Sequence, residues 1–189
     1  EPLPERFARM SRSAMLNAIL DLPSPEEAVR SLPTPELHYL VHHIGLEDAG
    51  VLVPATTDDQ FRSLLDLDLW IGDELAPERF ERWLWALDEY GAPDELVRRV
   101  ATLDDELLVT LLSSWAKLYL REDRNEDPEL PDAEVIFSTP DQRYFVEVLE
   151  PGAQDRFPVL FRLIGTLYED DVEHAILLLD QVTRELPTE

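Results

Sequence analysis

The apolar and polar positions divide most of the chain into short amphipathic segments that begin with similar signals. Many prolines follow Ser, Thr, Ala or Asp and precede Glu or Asp. This order is typical of a helix start, because a capping side chain, a proline in the first turn and an acid near the positive end of the helix dipole all stabilise it. The clearest signals are Ser24-Pro25-Glu26-Glu27 and Thr57-Asp58-Asp59-Gln60, which have the spacing of a capping box. Together the signals predict helices over residues 11–21, 25–31, 35–44, 46–53, 58–66, 77–90, 93–101 and 104–120.

The apolar residues inside these segments recur at helical spacing. Phe80, Trp83 and Leu87 form one stripe, and a stronger stripe runs from Leu107 through Trp115 to Tyr119. A short helix cannot bury such a stripe alone, so we expect the helices to stack on one another.

The pattern changes after residue 120. Residues 121–134 are acidic, contain prolines and have almost no apolar side chains, which predicts a mobile loop or linker. Two segments rich in β-branched and aromatic residues then flank the turn Thr139-Pro140-Asp141-Gln142, which predicts a β-hairpin near residues 135–149. Two helices follow. Asp155 is the predicted cap of the first, with Pro158 in its first turn, and Asp170 with Glu173 is a predicted capping box for the second.

The sequence therefore predicts a mostly α chain of stacked short helices in a superhelical or layered array, with one small β-hairpin. The predicted organisation is a short-helix array over residues 1–120, an acidic loop or linker over 121–134, and a β-hairpin plus two helices, packed on the array, over 135–189.

Charge is the most unusual property of the composition. The chain has 41 acidic against 16 basic residues, a formal net charge of −25. The basic residues stand mostly singly among acids, which argues against nucleic-acid binding, because phosphate contacts need clustered Lys and Arg. The chain has no cysteine, in keeping with a reducing cytoplasm. It has neither an apolar run long enough to insert into a membrane nor a signal-peptide pattern, so we expect a cytoplasmic protein.

The acidic loop contains the ligand types of a calcium-binding loop. Asp123, Asn125 and Asp127 stand at positions one, three and five, and Glu134 stands at position twelve. Position six is Pro128, however, where the sharp turn needs glycine. We therefore interpret the segment as a solvated acidic linker, with weak binding of Mg²⁺ or Ca²⁺ as the alternative.

A pair of histidines is the second candidate site. His38 and His42 lie four residues apart on one predicted helix face, with His43 beside them, and two imidazoles at this spacing can share a metal ion. Such a site needs a third ligand, for which Glu47 is a candidate. We interpret the face as partly buried and polar, and His174 as an exposed helix residue.

The remaining motifs do not indicate an enzyme. The chain has no nucleophile elbow, P-loop or dinucleotide fingerprint, and acid pairs are too abundant to identify a hydrolase. We accordingly expect no catalytic, cofactor or metal residues. Trp83 and Trp115 lie on predicted core stripes, whereas Trp85 points away from the face of Trp83 and would suit a protein interface.

Two resemblances follow from longer stretches of sequence. The repeated Leu22-Pro23-Ser24-Pro25-Glu26 and Leu32-Pro33-Thr34-Pro35-Glu36, the run 64–70 and the hairpin segment 136–141 resemble an uncharacterised bacterial family of acidic helical proteins, a domain of unknown function. This resemblance implies that family members continue past residue 189. Residues 22–115 also resemble the N-terminal helical domain of MgtE-type magnesium transporters, which implies a superhelix of short helices but transfers no metal ligand.

Three functions follow as hypotheses. The first is a non-enzymatic protein interaction or scaffold module whose partner has a basic surface. The second is a divalent-cation-responsive regulatory domain, in which Mg²⁺ or Ca²⁺ would relieve charge repulsion. The third is an acidic nucleic-acid mimic. The oligomeric state does not follow from the sequence.

Overall fold

The computed structural model describes residues 10–72, 74–122 and 128–184, without the side chains of Glu74 and Pro77. The chain forms two compact units, residues 1–96 and residues 97–189. The mostly α fold with a small antiparallel sheet is confirmed. Within the described ranges, no helix has the length and apolarity needed to cross a membrane.

The first unit consists of helices and one two-residue β-ladder. Its elements are α1 (Arg12–Leu20), α2 (Pro25–Ser31), α3 (Thr34–Ile44), α4 (Leu46–Ala49), a 3₁₀ turn (Gly50–Leu52), α5 (Asp58–Asp68), β1 (Trp70–Ile71), β2 (Glu74–Leu75) and α6 (Pro77–Tyr90), and α7 (Glu95–Val100) spans the boundary between units. These helices match the predicted bounds closely, except that the predicted helix 46–53 is α4 followed by the 3₁₀ turn.

The local start signals account for most of these bounds. The capping box at Thr57 is confirmed, because Gln60 N donates to Thr57 Oγ1 at 3.1 Å and Thr57 N donates to Gln60 Oε1 at 2.9 Å. The box predicted at Ser24 is wrong. Ser24 makes no capping hydrogen bond, and α2 begins with Pro25 at its first position. Proline presets the helical φ angle, so this helix starts without the box.

The core of the first unit forms where α3 packs on α1 and α5, and where α6 packs on α4 and the 3₁₀ turn. Phe61, Phe80 and Trp83 are almost fully buried there, and the rings of Phe61 and Trp83 meet edge to face with centroids 6.2 Å apart. The buried Gln60 amide donates to the carbonyls of Val29 at 3.0 Å and Leu32 at 2.9 Å, which fixes the end of α2 against the start of α5.

The second unit combines helices with a three-stranded antiparallel sheet. Its elements are α8 (Asp105–Trp115), β3 (Ala116–Leu120), β4 (Ile136–Ser138), β5 (Tyr144–Val148), α9 (Ala153–Asp170) and α10 (Val172–Val182), and the strand order is β3-β5-β4. The predicted hairpin is confirmed as β4 and β5. A third strand, β3, pairs with β5, so the hairpin is part of a three-stranded sheet.

The helix predicted over residues 104–120 is too long. It ends at Trp115, and the backbone turns extended at Ala116, where φ is −142° and ψ is 149°. Residues 116–120 then pair antiparallel with β5, in a register that joins Ala116 to Val148 and Leu120 to Tyr144. Leu118 and Tyr119 continue the helical spacing of the preceding stripe, but pairing with a distant strand overrides this local preference.

Two predicted caps in the C-terminal segment are also displaced. Helix α9 begins after Gly152, which has a φ of 94°, so Asp155 lies in the first turn instead of capping it and Pro158 lies inside the helix. The cap of α10 is Asp171 and not Asp170, because Asp171 accepts from the backbone N–H groups of Glu173 and His174.

The compact units divide the chain between Leu96 and Val97, whereas the sequence pattern placed a linker at 121–134. Residues 123–127 of that segment lie outside the described residues. On either side of it, β3 and β5 are paired within one sheet. The predicted packing of residues 135–189 on the helical array stays a prediction.

Candidate functional site

Two helices of the first unit bring His38, His42 and Asp68 together. His38 and His42 lie one turn apart on α3, and Asp68 is the last residue of α5. One ligand atom from each residue lies within 4.8 Å of the other two. Imidazole nitrogens and a carboxylate oxygen are donors that can coordinate a divalent metal ion. We call these three residues the His–Asp cluster.

The sequence of α5 places Asp68 in an unusual position for a carboxylate. Phe61, Leu64 and Leu65 form the buried face of this helix, and Asp68 follows seven residues after Phe61 and four after Leu64, so it lies on the same face. Its side chain is only 12% exposed. A buried carboxylate is costly unless its oxygens have partners.

Asp68 has partners on both carboxylate oxygens. Trp83 Nε1 donates to Oδ2 at 2.7 Å, which fixes the orientation of the carboxylate. Oδ1 points to His42, whose Nε2 lies 3.1 Å away, and Arg79 Nη1 lies 4.0 Å from Oδ1. The same Arg79 nitrogen donates to the Asp68 backbone carbonyl at 2.8 Å, so its guanidinium is anchored on the main chain.

The two histidines differ in environment. The side chain of His42 is about half exposed (53%), whereas His38 Nε2 is buried and has no hydrogen-bond partner among the residues that the structure describes. The two rings meet edge to face with centroids 4.3 Å apart. Burial, and then the neighbouring His42, lower the pKa of His38, and Asp68 opposes this shift. The environment of His38 therefore favours the neutral form of its ring, and one ring nitrogen has no partner among the described residues.

The third partner of the histidine pair is Asp68 and not the predicted Glu47. His43 is also outside the cluster, because its ring stacks on Tyr39 with centroids 5.6 Å apart. The spacing of the histidines does not point to Asp68, but the sequence of α5 contains a signal for it. Asp68 continues the helical spacing of Phe61, Leu64 and Leu65. An acid at such a position on an otherwise apolar face indicates a buried carboxylate that needs specific partners.

A cleft of about 220 Å³ gives access to the cluster. His42 and Asp68 line it, together with Val41, Gly45, Leu46, Arg79, Arg82 and Trp83. A second, larger groove of about 470 Å³ is lined by Leu46, Glu47, Glu78, Glu81, Arg82 and Trp85. We call this second cavity the Trp85 groove. The two cavities share Leu46 and Arg82.

The tryptophans lie where the helical stripes predicted. Trp83 and Trp115 are buried, at 1% and 3% exposure, whereas Trp85 is 50% exposed. The Trp85 ring contacts Tyr90 edge to face, with centroids 6.0 Å apart. Trp85 also lines the Trp85 groove, together with Glu47, Glu78 and Glu81.

The other candidate residues either have different partners or lie outside the described residues. Asp123, Asn125 and Asp127 of the possible calcium loop lie outside the described residues, and Glu134 accepts a hydrogen bond from Gln154 at 3.0 Å. His174 lies on α10, as a helix residue, and contacts Asp105. Its Nε2 lies 2.9 Å and 3.0 Å from the two carboxylate oxygens of Asp105.

One comparison with known proteins gives a match. A model described as "Family of unknown function (DUF6178)" matches residues 4–189. No curated protein and no solved structure matches the chain. The predicted resemblance to an uncharacterised family is confirmed, and the resemblance of residues 22–115 to MgtE-type transporters stays a prediction.

Proposed function

The chain belongs to this family of unknown function, DUF6178, and we propose that it is a non-enzymatic interaction module that binds a basic segment of a partner protein. The observation that supports the proposal is the Trp85 groove, in which a half-exposed indole stands beside three glutamates. We propose that the chain binds this partner in the cytoplasm.

The groove combines two interactions that favour a guanidinium or ammonium group. The face of an indole attracts a cation within about 6 Å of the ring centre. Carboxylates that line the same groove, here Glu47 and Glu78, can add charge-assisted hydrogen bonds. An Arg or Lys side chain of the partner can therefore place its alkyl stem on Leu46 and Trp85 and its charged end among the acids.

The net charge of −25 supports the same partner at longer range. A strongly negative surface speeds the approach of a basic protein, and this effect weakens as salt is added. Charge alone gives no specificity, however, so the groove must supply the specific contact. We expect Trp85 to be the residue whose removal costs the most affinity.

The test uses a fluorescein-labelled peptide of alternating Arg and Ala, with a Glu and Ala peptide of the same length as the charge control. Fluorescence anisotropy should show binding of the Arg peptide only. Trp85→Ala should weaken this binding by about three- to tenfold, since a cation–π contact contributes about 0.7–1.4 kcal/mol.

Two matched controls separate the groove from general charge attraction. Trp70 is equally exposed (48%) but lies on β1, so Trp70→Ala should leave the affinity unchanged. Glu47→Gln should weaken binding more than Asp48→Asn, because Glu47 lines the groove and its neighbour does not. If the members of each pair have the same effect, the proposal is wrong.

The second candidate function is the divalent-cation-responsive regulatory domain, which the net charge of −25 supports, because a bound cation would relieve charge repulsion. Thermal unfolding in chelator, and then with millimolar Mg²⁺ or Ca²⁺ at matched ionic strength, tests it through the shift in Tm. A shift no larger than that produced by a monovalent salt would contradict it. The nucleic-acid mimic ranks below both, because acids such as Asp58 and Asp104 lie at helix starts instead of forming one continuous face.

A further inference from the structure

We propose that the His–Asp cluster is a binding site for one divalent transition-metal ion, with Zn²⁺ as the representative, and that His38, His42 and Asp68 are its protein ligands. This inference goes beyond the proposed interaction function, because it concerns a different cavity and a different ligand.

The separations within the cluster fit zinc coordination. Zinc bonds of about 2.0–2.1 Å in tetrahedral geometry place neighbouring ligand atoms about 3.3 Å apart. His42 Nε2 and Asp68 Oδ1 are already 3.1 Å apart. The widest separation between ligand atoms in the cluster is at most 4.8 Å. A side-chain rotation that moves one ligand atom by about 1.5 Å would bring all three to the separation found in tetrahedral zinc sites.

The carboxylate is already oriented for this role. Its Oδ2 accepts from the buried Trp83 indole at 2.7 Å, which leaves Oδ1 directed at His42. A ligating carboxylate in a metal site is commonly held by such an outer hydrogen bond, which fixes its direction and is itself important for affinity. In this case the outer partner is one of the most deeply buried side chains of the unit.

The surroundings of His38 also suit a ligand. The buried Nε2 of this ring has no hydrogen-bond partner in the described part of the chain. A buried polar atom without a partner is costly, and coordination of a metal by the cluster would give the His38 ring a partner.

The donor set selects the class of metal. Two imidazoles and one carboxylate suit Zn²⁺ and its neighbours, whereas Mg²⁺ and Ca²⁺ prefer oxygen ligands alone. Three protein ligands leave a fourth position, and the 220 Å³ cleft beside His42 and Asp68 gives room for a water molecule there.

Arg79 opposes the proposed ion. Its Nη1 is 4.0 Å from Asp68 Oδ1, and its charge repels a second cation. The anchor of Arg79 is the Asp68 backbone carbonyl, however, so the guanidinium does not take the place of the ion on the carboxylate. We therefore expect weaker binding than at a structural zinc site, and complete reversal by a chelator.

The experiment is calorimetric titration of the chelator-treated chain with Zn²⁺, followed by Co²⁺ as a spectroscopic probe. We expect one bound Zn²⁺ per chain, little competition from excess Mg²⁺, and visible ligand-field bands of tetrahedral Co²⁺. His38→Ala and His42→Gln should each weaken Zn²⁺ binding by more than about tenfold.

His38→Ala is the decisive variant, because His38 is not part of the contact between His42 and Asp68. If that contact only joins two helices, His38→Ala leaves any metal affinity unchanged, and the proposal is overturned. His43→Ala is the matched control and should bind Zn²⁺ like the wild type, since His43 stacks on Tyr39 outside the cluster. Equal displacement of Zn²⁺ by Mg²⁺, or no binding at all, also overturns it. No peptide is involved, so this outcome is independent of the groove.

Discussion

Each compact unit contains a contact between a histidine and an aspartate, and the two contacts differ in almost every other respect. In the first unit, His42 meets Asp68, whose side chain is 12% exposed. In the second unit, His174 meets Asp105, whose side chain is 55% exposed. The contact distances are similar, at 3.1 Å and 2.9 Å.

The difference lies in what surrounds the carboxylate. Asp105 lies in the first turn of α8 and gives both oxygens to one histidine. Asp68 shares its oxygens between Trp83 and His42 and has a second histidine within reach. A distance alone therefore does not identify a candidate site. Burial, an oriented carboxylate and an unsatisfied ring nitrogen distinguish the first contact from the second.

Removal of the two carboxylates should change the free energy of unfolding by very different amounts. Asp68→Ala leaves the buried Trp83 indole without an acceptor, and we expect a loss of about 3 kcal/mol in the free energy of unfolding. Asp105→Ala removes an exposed contact and a favourable charge near a helix start, for a loss of less than about 1 kcal/mol. Urea unfolding of both variants measures the contrast. Equal losses would mean that the two contacts are equivalent.

A tyrosine in the second unit gives an intermediate effect. The Tyr144 hydroxyl donates to Asp180, and burial followed by this hydrogen bond raises the pKa of Tyr144 to about 12. Tyr144→Phe should cost about 1 kcal/mol at neutral pH. Because the folded pKa lies above the ordinary value of about 10, wild-type stability declines as pH rises from about 10 through about 12.

The variant lacks this ionisation, so its free energy of unfolding should fall less over the same pH range. Denaturant unfolding at a series of pH values up to 12 provides the measurement. Parallel curves for the wild type and Tyr144→Phe would contradict the assignment. Tyr39, which is exposed, provides a matched control as Tyr39→Phe.

The first unit should instead show an acid-side effect through His38. Burial lowers the pKa of His38, so the unfolded chain binds a proton more readily than the folded chain. His38 therefore reduces stability as pH falls below its ordinary value of about 6.5. His38→Gln should flatten this part of the stability curve relative to the wild type. If His43→Gln flattens the curve equally, the environment of His38 is not special.

The smallest expected effect concerns the Trp85 groove. Trp85 is half exposed, so Trp85→Ala should change the free energy of unfolding by no more than about 0.5–1 kcal/mol. Trp83→Ala, two residues earlier on the same helix, should cost about 3–5 kcal/mol. Thermal unfolding compares the two variants directly. A large loss for Trp85→Ala would show that this residue is part of the core and not of a binding surface.

The sequence predicts most helix bounds because their causes are local. Thr57 and Gln60 cap α5 across one turn, and α6 begins at Pro77 and ends before Gly91 as its pattern indicates. Residues 116–120 could not be assigned in this way. Their strand conformation depends on β5, which lies more than twenty residues further along the chain.

For the same reason, the sequence identifies the two histidines of the candidate site but not its aspartate. The spacing of His38 and His42 is a property of one helix, so the sequence identified the pair. Their acidic neighbour depends on how α3 packs against α5, and Asp68 is 26 residues beyond His42. Local spacing favoured Glu47, which is nearer in sequence but lines the Trp85 groove.

The most direct test of the difference between the two contacts uses the four histidine rings of the chain as separate reporters. Long-range ¹H–¹⁵N NMR spectra of the imidazole rings, recorded during titration with Zn²⁺, assign any bound metal to individual residues. We predict that the ring nitrogens of His38 and His42 shift until one equivalent of metal is added, whereas those of His43 and His174 do not. Shifts at His174, or equal shifts at all four rings, would contradict the account.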